Sequence, residues 1–213
     1  MVVRSAPLRL SGQTWYVAAS NQNLNTHANS MPILICFLRG INVGGHAIIK
    51  MDALRALLVS LKFEEPQTYV QSGNVIFKTS ERNLGLLTAR IKEAIEKKFA
   101  CSPAVVLRTV ADLRAVVSNN PFAKRTHIEP AKLHAFFLAA RPAKSAAENL
   151  RQLAIQPEEL HLIGRELFIY FPDGAGKSKL PWARVDKALQ TQGTGRNWNS
   201  VTKILEMAEH FDS

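Results

Sequence analysis

The strongest constraint on this chain is an unbroken apolar run, Ile33 to Leu38, that leads straight into a glycine-bearing loop, Arg39-Gly40-Ile41-Asn42-Val43-Gly44-Gly45-His46. Six apolar residues without polar alternation predict a strand covered on both faces, so structure must lie on either side of it. The loop is not a dinucleotide fingerprint. Its spacing is G-x-x-x-G-G, it runs about a dozen residues before a helix can start, and Asp52 would set a negative charge where a phosphate should sit. Gly40, Gly44 and Gly45 read first as turn formers, while Arg39 and Asn42 are the loop side chains that a ligand could meet.

The elements that follow predict an order. Leu54, Leu57, Leu58 and Leu61 recur at helical spacing behind Asp52, which is placed to cap the first turn. Gln67 to Val70 and Asn74 to Thr79 are β-prone runs joined through Ser72-Gly73 as a hairpin. Leu84, Leu87, Ile91 and Ile95 mark a second helix over 83–99, and Ala104 to Arg108 a further strand. The order βαββαβ over 31–108 predicts a ferredoxin-like lobe, an antiparallel sheet with two helices on one face.

Thr109 and Asp112 form a capping box that opens a helix ended by Asn119-Asn120-Pro121. Beyond it the same logic recurs less cleanly. Leu133 to Ala139 reads as a strand, Ser145 to Leu153 as a short helix, and Leu160 to Ile163 with Glu166 to Phe171 as a hairpin turned at Gly164-Arg165. Helices are expected over 181–190 and 199–210. The fold class is therefore α+β with two lobes, 31–108 and a smaller related one over 109–213. Residues 1–30 show neither a core face nor helical periodicity. They are expected to be a disordered extension upstream of a natural start at Met31.

With 27 Lys+Arg against 17 Asp+Glu, the net charge of +10 favours anionic partners. The surplus is spread along the chain, which argues against a single docking stripe. Two cysteines without CxxC spacing, and no apolar run long enough to span a membrane, fit a cytoplasmic protein.

Two segments could carry chemistry besides the first loop. The run Phe171 to Pro181 ends in Gly176-Lys177-Ser178 but has Phe171 where a phosphate-binding loop needs glycine, so nucleotide triphosphatase activity is excluded. A weaker anion site remains: with Pro181 opening a helix and Leu180 unable to cap it, first-turn N–H groups would face Lys177, Lys179 and Arg184. Arg196 beside Trp198 could stack a base, or Trp198 could plug an interface between lobes while Asn197 or Asn199 caps a helix. Phe37 and Phe77 match the stacking aromatics of RNA-recognition modules poorly. The histidines, His46 among them, show no metal-ligand spacing, so neither a metal nor a cofactor is expected.

Several blocks in order carry a resemblance: 37–45, Met51 with Leu54-Arg55, Thr68-Tyr69 with Gln71-Ser72-Gly73-Asn74-Val75, Asn120-Pro121-Phe122, Pro172-Asp173-Gly174 with Ser178-Lys179-Leu180, and Arg196-Asn197-Trp198. On these residues the chain resembles an uncharacterised bacterial family known as the domain of unknown function 1697, departing from its pattern at Phe171 and over 1–30. The resemblance implies a two-lobed α+β protein and brings no activity with it. The expectation for function is therefore a module that binds an anionic ligand, a phosphate-bearing small molecule or nucleic acid, between the lobes. Arg39, Asn42, Lys177, Lys179, Arg196 and Trp198 are the expected contacts. The alternative is an enzyme acting on a phosphorylated or carboxylated small molecule, with His46 as the nearby acid/base group.

Overall fold

A computed structural model describes residues 31–45, 47–153 and 156–211. The expectations for residues 1–30 and for His46 lie outside these described residues. The first half runs β1 (Ile33–Leu38), α1 (Met51–Ser60), β2 (Glu64–Tyr69), β3 (Asn74–Lys78), α2 (Leu84–Phe99), β4 (Val105–Thr109) and α3 (Val110–Ser118). The second runs β5 (Leu133–Leu138), α4 (Ala146–Arg151), β6 (Glu159–Ile163), β7 (Glu166–Tyr170), α5 (Trp182–Leu189), β8 (Gly193–Asn197) and α6 (Trp198–Glu209).

The chain is mixed α+β with two four-stranded sheets, ordered β2-β3-β1-β4 and β6-β7-β5-β8. Every pairing is antiparallel. The apolar run is the central strand of its sheet, as its lack of alternation requires. Leu34, Cys36 and Leu38 face α1 and α2, while Ile35 and Phe37 face the opposite way, toward the second sheet. Phe37 and Phe77 are fully buried, so neither offers a ring to a base.

The two inner faces share one core. Ile35, Phe37, Ile76 and Val106 from the first sheet meet Ala135, Phe137 and Phe168 from the second, with α3 and α6 packed against each other in the same cluster. At its centre Phe37 and Phe137 stack with ring centroids 4.2 Å apart, an arrangement worth roughly 0.5–1.5 kcal/mol beyond the buried area. A separate cluster fills the outer face of the second sheet under α4 and α5.

Local signals explain most of the boundaries. Thr109 and Asp112 exchange both hydrogen bonds of the expected capping box at the start of α3. Asn197 accepts from the Ser200 N–H and caps α6. Gly73 turns the β2–β3 hairpin at φ +76°, and a Cβ there would meet the Leu38 Cβ at 2.8 Å, so only glycine fits.

Two local expectations are corrected. Asp52 does not cap α1: the N-cap position is Lys50, without a side-chain bond, and the Asp52 carboxylate pairs with Arg55. The segment ahead of the last helix, where no strand is expected, forms strand β8, because pairing with β5 along its whole length outweighs the poor strand propensity of Gly193 and Gly195.

Candidate functional site

The loop leaving β1 is organised by one side chain. Asn42 donates from Nδ2 to the carbonyls of Ile49 (3.0 Å) and Gln71 (2.8 Å), and its Oδ1 accepts from the Ile49 N–H at 2.7 Å. With Asn42 at φ +55° and Ile41 anchored in the core, the loop is closed on itself and tied to the β2–β3 turn. Its Arg39 side chain is exposed. Among the described residues the Arg39 guanidinium has no ion pair or hydrogen bond, although the Arg39 backbone N–H is held by the Ala104 carbonyl at 2.9 Å.

Arg39 stands over two adjoining clefts where the halves meet. The larger, about 570 Å³, is polar and is lined by Arg39, Gly40 and Ser102–Ala104 from the first half and by Asp186, Gln190 and Gln192 from the second. The smaller, about 200 Å³, is apolar: Phe136, Leu138, Leu167, Trp182 and Leu189 wall it, and the backbone of Gly193–Gly195 closes it. Arg39 and Asp186 line both. Among the described residues neither side chain forms an ion pair, so the mouth of the apolar cleft carries one cation and one carboxylate able to act on a third body.

The expected contacts separate into groups. Arg39, Asn42 and Arg196 do come together. Arg196 Nη2 donates to the Leu38 and Ser72 carbonyls, both at 2.8 Å, beside the Gln71 carbonyl that Asn42 holds. Its guanidinium is nevertheless buried and fully committed. Nε donates to the Asn74 Oδ1, Nη1 to the Thr194 hydroxyl and the Gly195 carbonyl at 2.8 Å each, and the cation lies 5.5 Å from the Phe37 ring centroid. Arg196 thus joins the halves rather than facing solvent. Burial pulls its pKa down to about 10, with no carboxylate near enough to offset the cost.

Trp198 is partly buried in the inner core, 6.2 Å from the Phe168 ring, which matches the plug of the two roles open to it. Lys177 and Lys179 are exposed in the loop before α5, and neither lines either cleft. The nest of free donors expected at the start of α5 is largely occupied. Trp182 N–H donates to the Leu180 carbonyl, and those of Arg184 and Val185 to the Pro181 carbonyl. The helix caps on Pro181 rather than Leu180, whose side chain is buried.

Arg196 has a counterpart. Arg108 on β4 reaches the other way, donating through Nη2 to the Leu138 carbonyl at 2.8 Å and through Nε to Glu166 Oε1 at 2.9 Å, with its cation 5.8 Å from the Phe137 ring. Burial lowers its pKa too, but the Glu166 carboxylate works against the shift. Cys36 behind this joint is fully buried, and desolvation pushes its thiol up to about 12.

Trp182, Phe136, Asp186, Gly193 and Gly195 were not foreseen as site residues. The one signal for them in the sequence is the pair of glycines spaced for the same face of a strand. Among the described residues no cluster of His, Cys, Asp or Glu could hold a metal ion, and no helix is long and apolar enough to cross a membrane.

A family model described as "Protein of unknown function (DUF1697)" matches residues 31–168. The blocks 172–174, 178–180 and 196–198 that also carry the resemblance lie past that match. The chain is similar to the solved structure of a conserved bacterial protein from Streptococcus pneumoniae, at 21% identity and a TM-score of 0.62, covering 84% of this chain and 99% of that one. At that identity the likeness speaks for the fold alone. No curated protein matches.

Proposed function

We propose, for a chain that belongs to the family described as "Protein of unknown function (DUF1697)", that it binds an anionic small molecule in the cleft between two ferredoxin-like lobes, with Arg39 as the principal contact. The division into lobes at 31–108 and 109–213 is supported by the two sheets, each with the strand order and the helix placement of a split βαβ unit. The observation that carries the binding reading is Arg39 itself, an exposed guanidinium with no partner among the described residues, over a cleft of about 570 Å³ walled by both halves. That volume lies within the range of about 300–1,000 Å³ usual for small-molecule sites.

Asn42 and Arg196 serve this site indirectly. They hold neighbouring carbonyls of the β2–β3 turn and so set the direction in which the chain leaves β1. Trp198 packs the joint. Lys177 and Lys179 add to a diffuse positive field that raises the local concentration of anions. A nucleic-acid interface would instead call for several exposed cations spaced to follow a backbone, and a single arginine over a cleft favours a compact ligand.

Calorimetric titration with inorganic phosphate and with sulfate tests the reading. Saturable binding is expected in the wild type, weakened about tenfold in Arg39→Ala, in line with the loss of one charge-assisted contact. Wild-type protein that takes up neither anion, or an Arg39→Ala variant that binds as well as wild type, would sink it.

A further inference from the structure

Resting on that reading of Arg39, we infer that the ligand carries a flat ring with an N–H donor as well as its anionic group, and that the ring lies in the apolar cleft against Trp182 and Phe136. The first support is the way β8 is built. Two of its five residues are glycines, a composition that weakens a strand. Neither Gly193 nor Gly195 has positive φ, so the backbone does not demand them. What they supply is room. A Cβ on Gly195 would stand 2.7 Å from the Phe136 ring, and one on Gly193 would stand 2.8 Å from the Leu138 side chain. Without those Cβ atoms the Phe136 ring lies down over β8 and reaches within 5.0 Å of the Trp182 ring.

The second support is the contrast with the first sheet, where the same positions are filled. There Cys36 pairs with Leu107 and Leu38 with Val105, whereas in the second sheet Phe136 pairs with Gly195 and Leu138 with Gly193. Leu107 and Val105 are buried beneath α2, a 16-residue helix, while α5 has 8 residues and stops short of closing its own sheet. Leu138, Leu167 and Leu189 are buried there, but Phe136 is only half-buried and Trp182 at the edge is 39% exposed, so the rings are what the short helix leaves open.

The third support is charge. Arg39 and Asp186 stand at the common mouth of the two clefts without pairing with each other. A simple anion would gain from Arg39 and be repelled by Asp186. A ring bearing an amino group would satisfy both, placing its anionic group on Arg39 and its N–H on the carboxylate. The apolar cleft, at about 200 Å³, has room for one ring and not for an extended chain. An aminated nucleobase joined to a phosphate and an amino-substituted aromatic acid both have this chemistry.

The full chain titrated with adenosine 5′-monophosphate, 4-aminobenzoate and inorganic phosphate separates the cases, by calorimetry and by tryptophan fluorescence. At least one ring-bearing probe is expected to bind at least about fivefold more tightly than phosphate, the least that one stacked ring contributes. Which of the two does so identifies the source. Trp182→Ala should bring that probe down to the affinity of phosphate while leaving phosphate itself unchanged, and should abolish the fluorescence response. Both ring-bearing probes binding no better than phosphate would overturn the inference while the Arg39 reading stands. Binding of none of the three would overturn both. A ring preference that persists in Trp182→Ala would place the ring elsewhere and overturn it as well.

Discussion

The two halves of this protein share a joint and differ on their outer faces. At the joint the correspondence is close: Arg108 and Arg196 each sit on the last strand of one sheet, one residue before a helix cap. Each donates to the carbonyl that ends the central strand of the other sheet, Leu138 or Leu38. Each cation lies over the other sheet's central phenylalanine. The partners differ, Glu166 for Arg108 and Asn74 for Arg196. On the outer faces the volumes are exchanged, Cys36 against Leu107 in the first sheet and Phe136 against Gly195 in the second. The lesson is that the shared contacts hold the halves together, and that departure from the shared pattern is where the apolar cleft opens.

The largest expected effect probes the charged clamp. Arg108→Ala leaves the mostly buried Glu166 carboxylate without its cation and should cost about 3–5 kcal/mol in urea unfolding, and replacing both partners, Arg108→Met with Glu166→Leu, should recover most of it. A single variant as stable as wild type would show that the pair does not bind the halves.

Next comes the thiol behind the joint. Because burial raises the Cys36 pKa from 9.0 to about 12, its contribution is present below pH 9 and lost as pH climbs toward 12. Wild type should therefore lose up to about 4 kcal/mol relative to Cys36→Val across that window. Parallel stability curves for the two proteins from pH 8 to 12 would refute it. In the native protein a thiol reagent should label Cys101 and spare Cys36.

Arg196→Met should cost less than the loss of Arg108, about 1–3 kcal/mol, since the groups left behind are neutral and removing an uncompensated buried cation relieves part of its own desolvation. Equal or greater loss than in Arg108→Ala would break the distinction between the two clamps. The smallest change is expected at Trp182. Its half-open position makes Trp182→Ala worth no more than about 1 kcal/mol of stability, so any effect on binding is separable from folding by comparing melts with titrations.

Much of this organisation could be read along the chain. The run Ile33 to Leu38, the leucine stripe of α1, the capping box at Thr109 and the turn at Gly73 each act over a few residues. Physics at that range is written in local periodicity and turn chemistry. Arg39 was legible as a candidate for the same reason, because a cation next to glycines after a buried strand has nowhere to hide. Arg196 was not: beside Trp198 it looks like a ligand contact, and only its partners 122 to 158 residues away turn it into a clamp.

Local order, element type and central-strand burial thus follow from residues that are neighbours in the chain, whose steric and hydrophobic preferences act at short range. The choice of joint and cleft does not. Gly193 and Gly195 look like loop residues until β5 pairs with them, and Asp186 and Trp182 become cleft residues only when α5 packs beside Arg39. Those outcomes depend on which long-range surfaces exclude water together, and that is settled only when the two sheets close on one another.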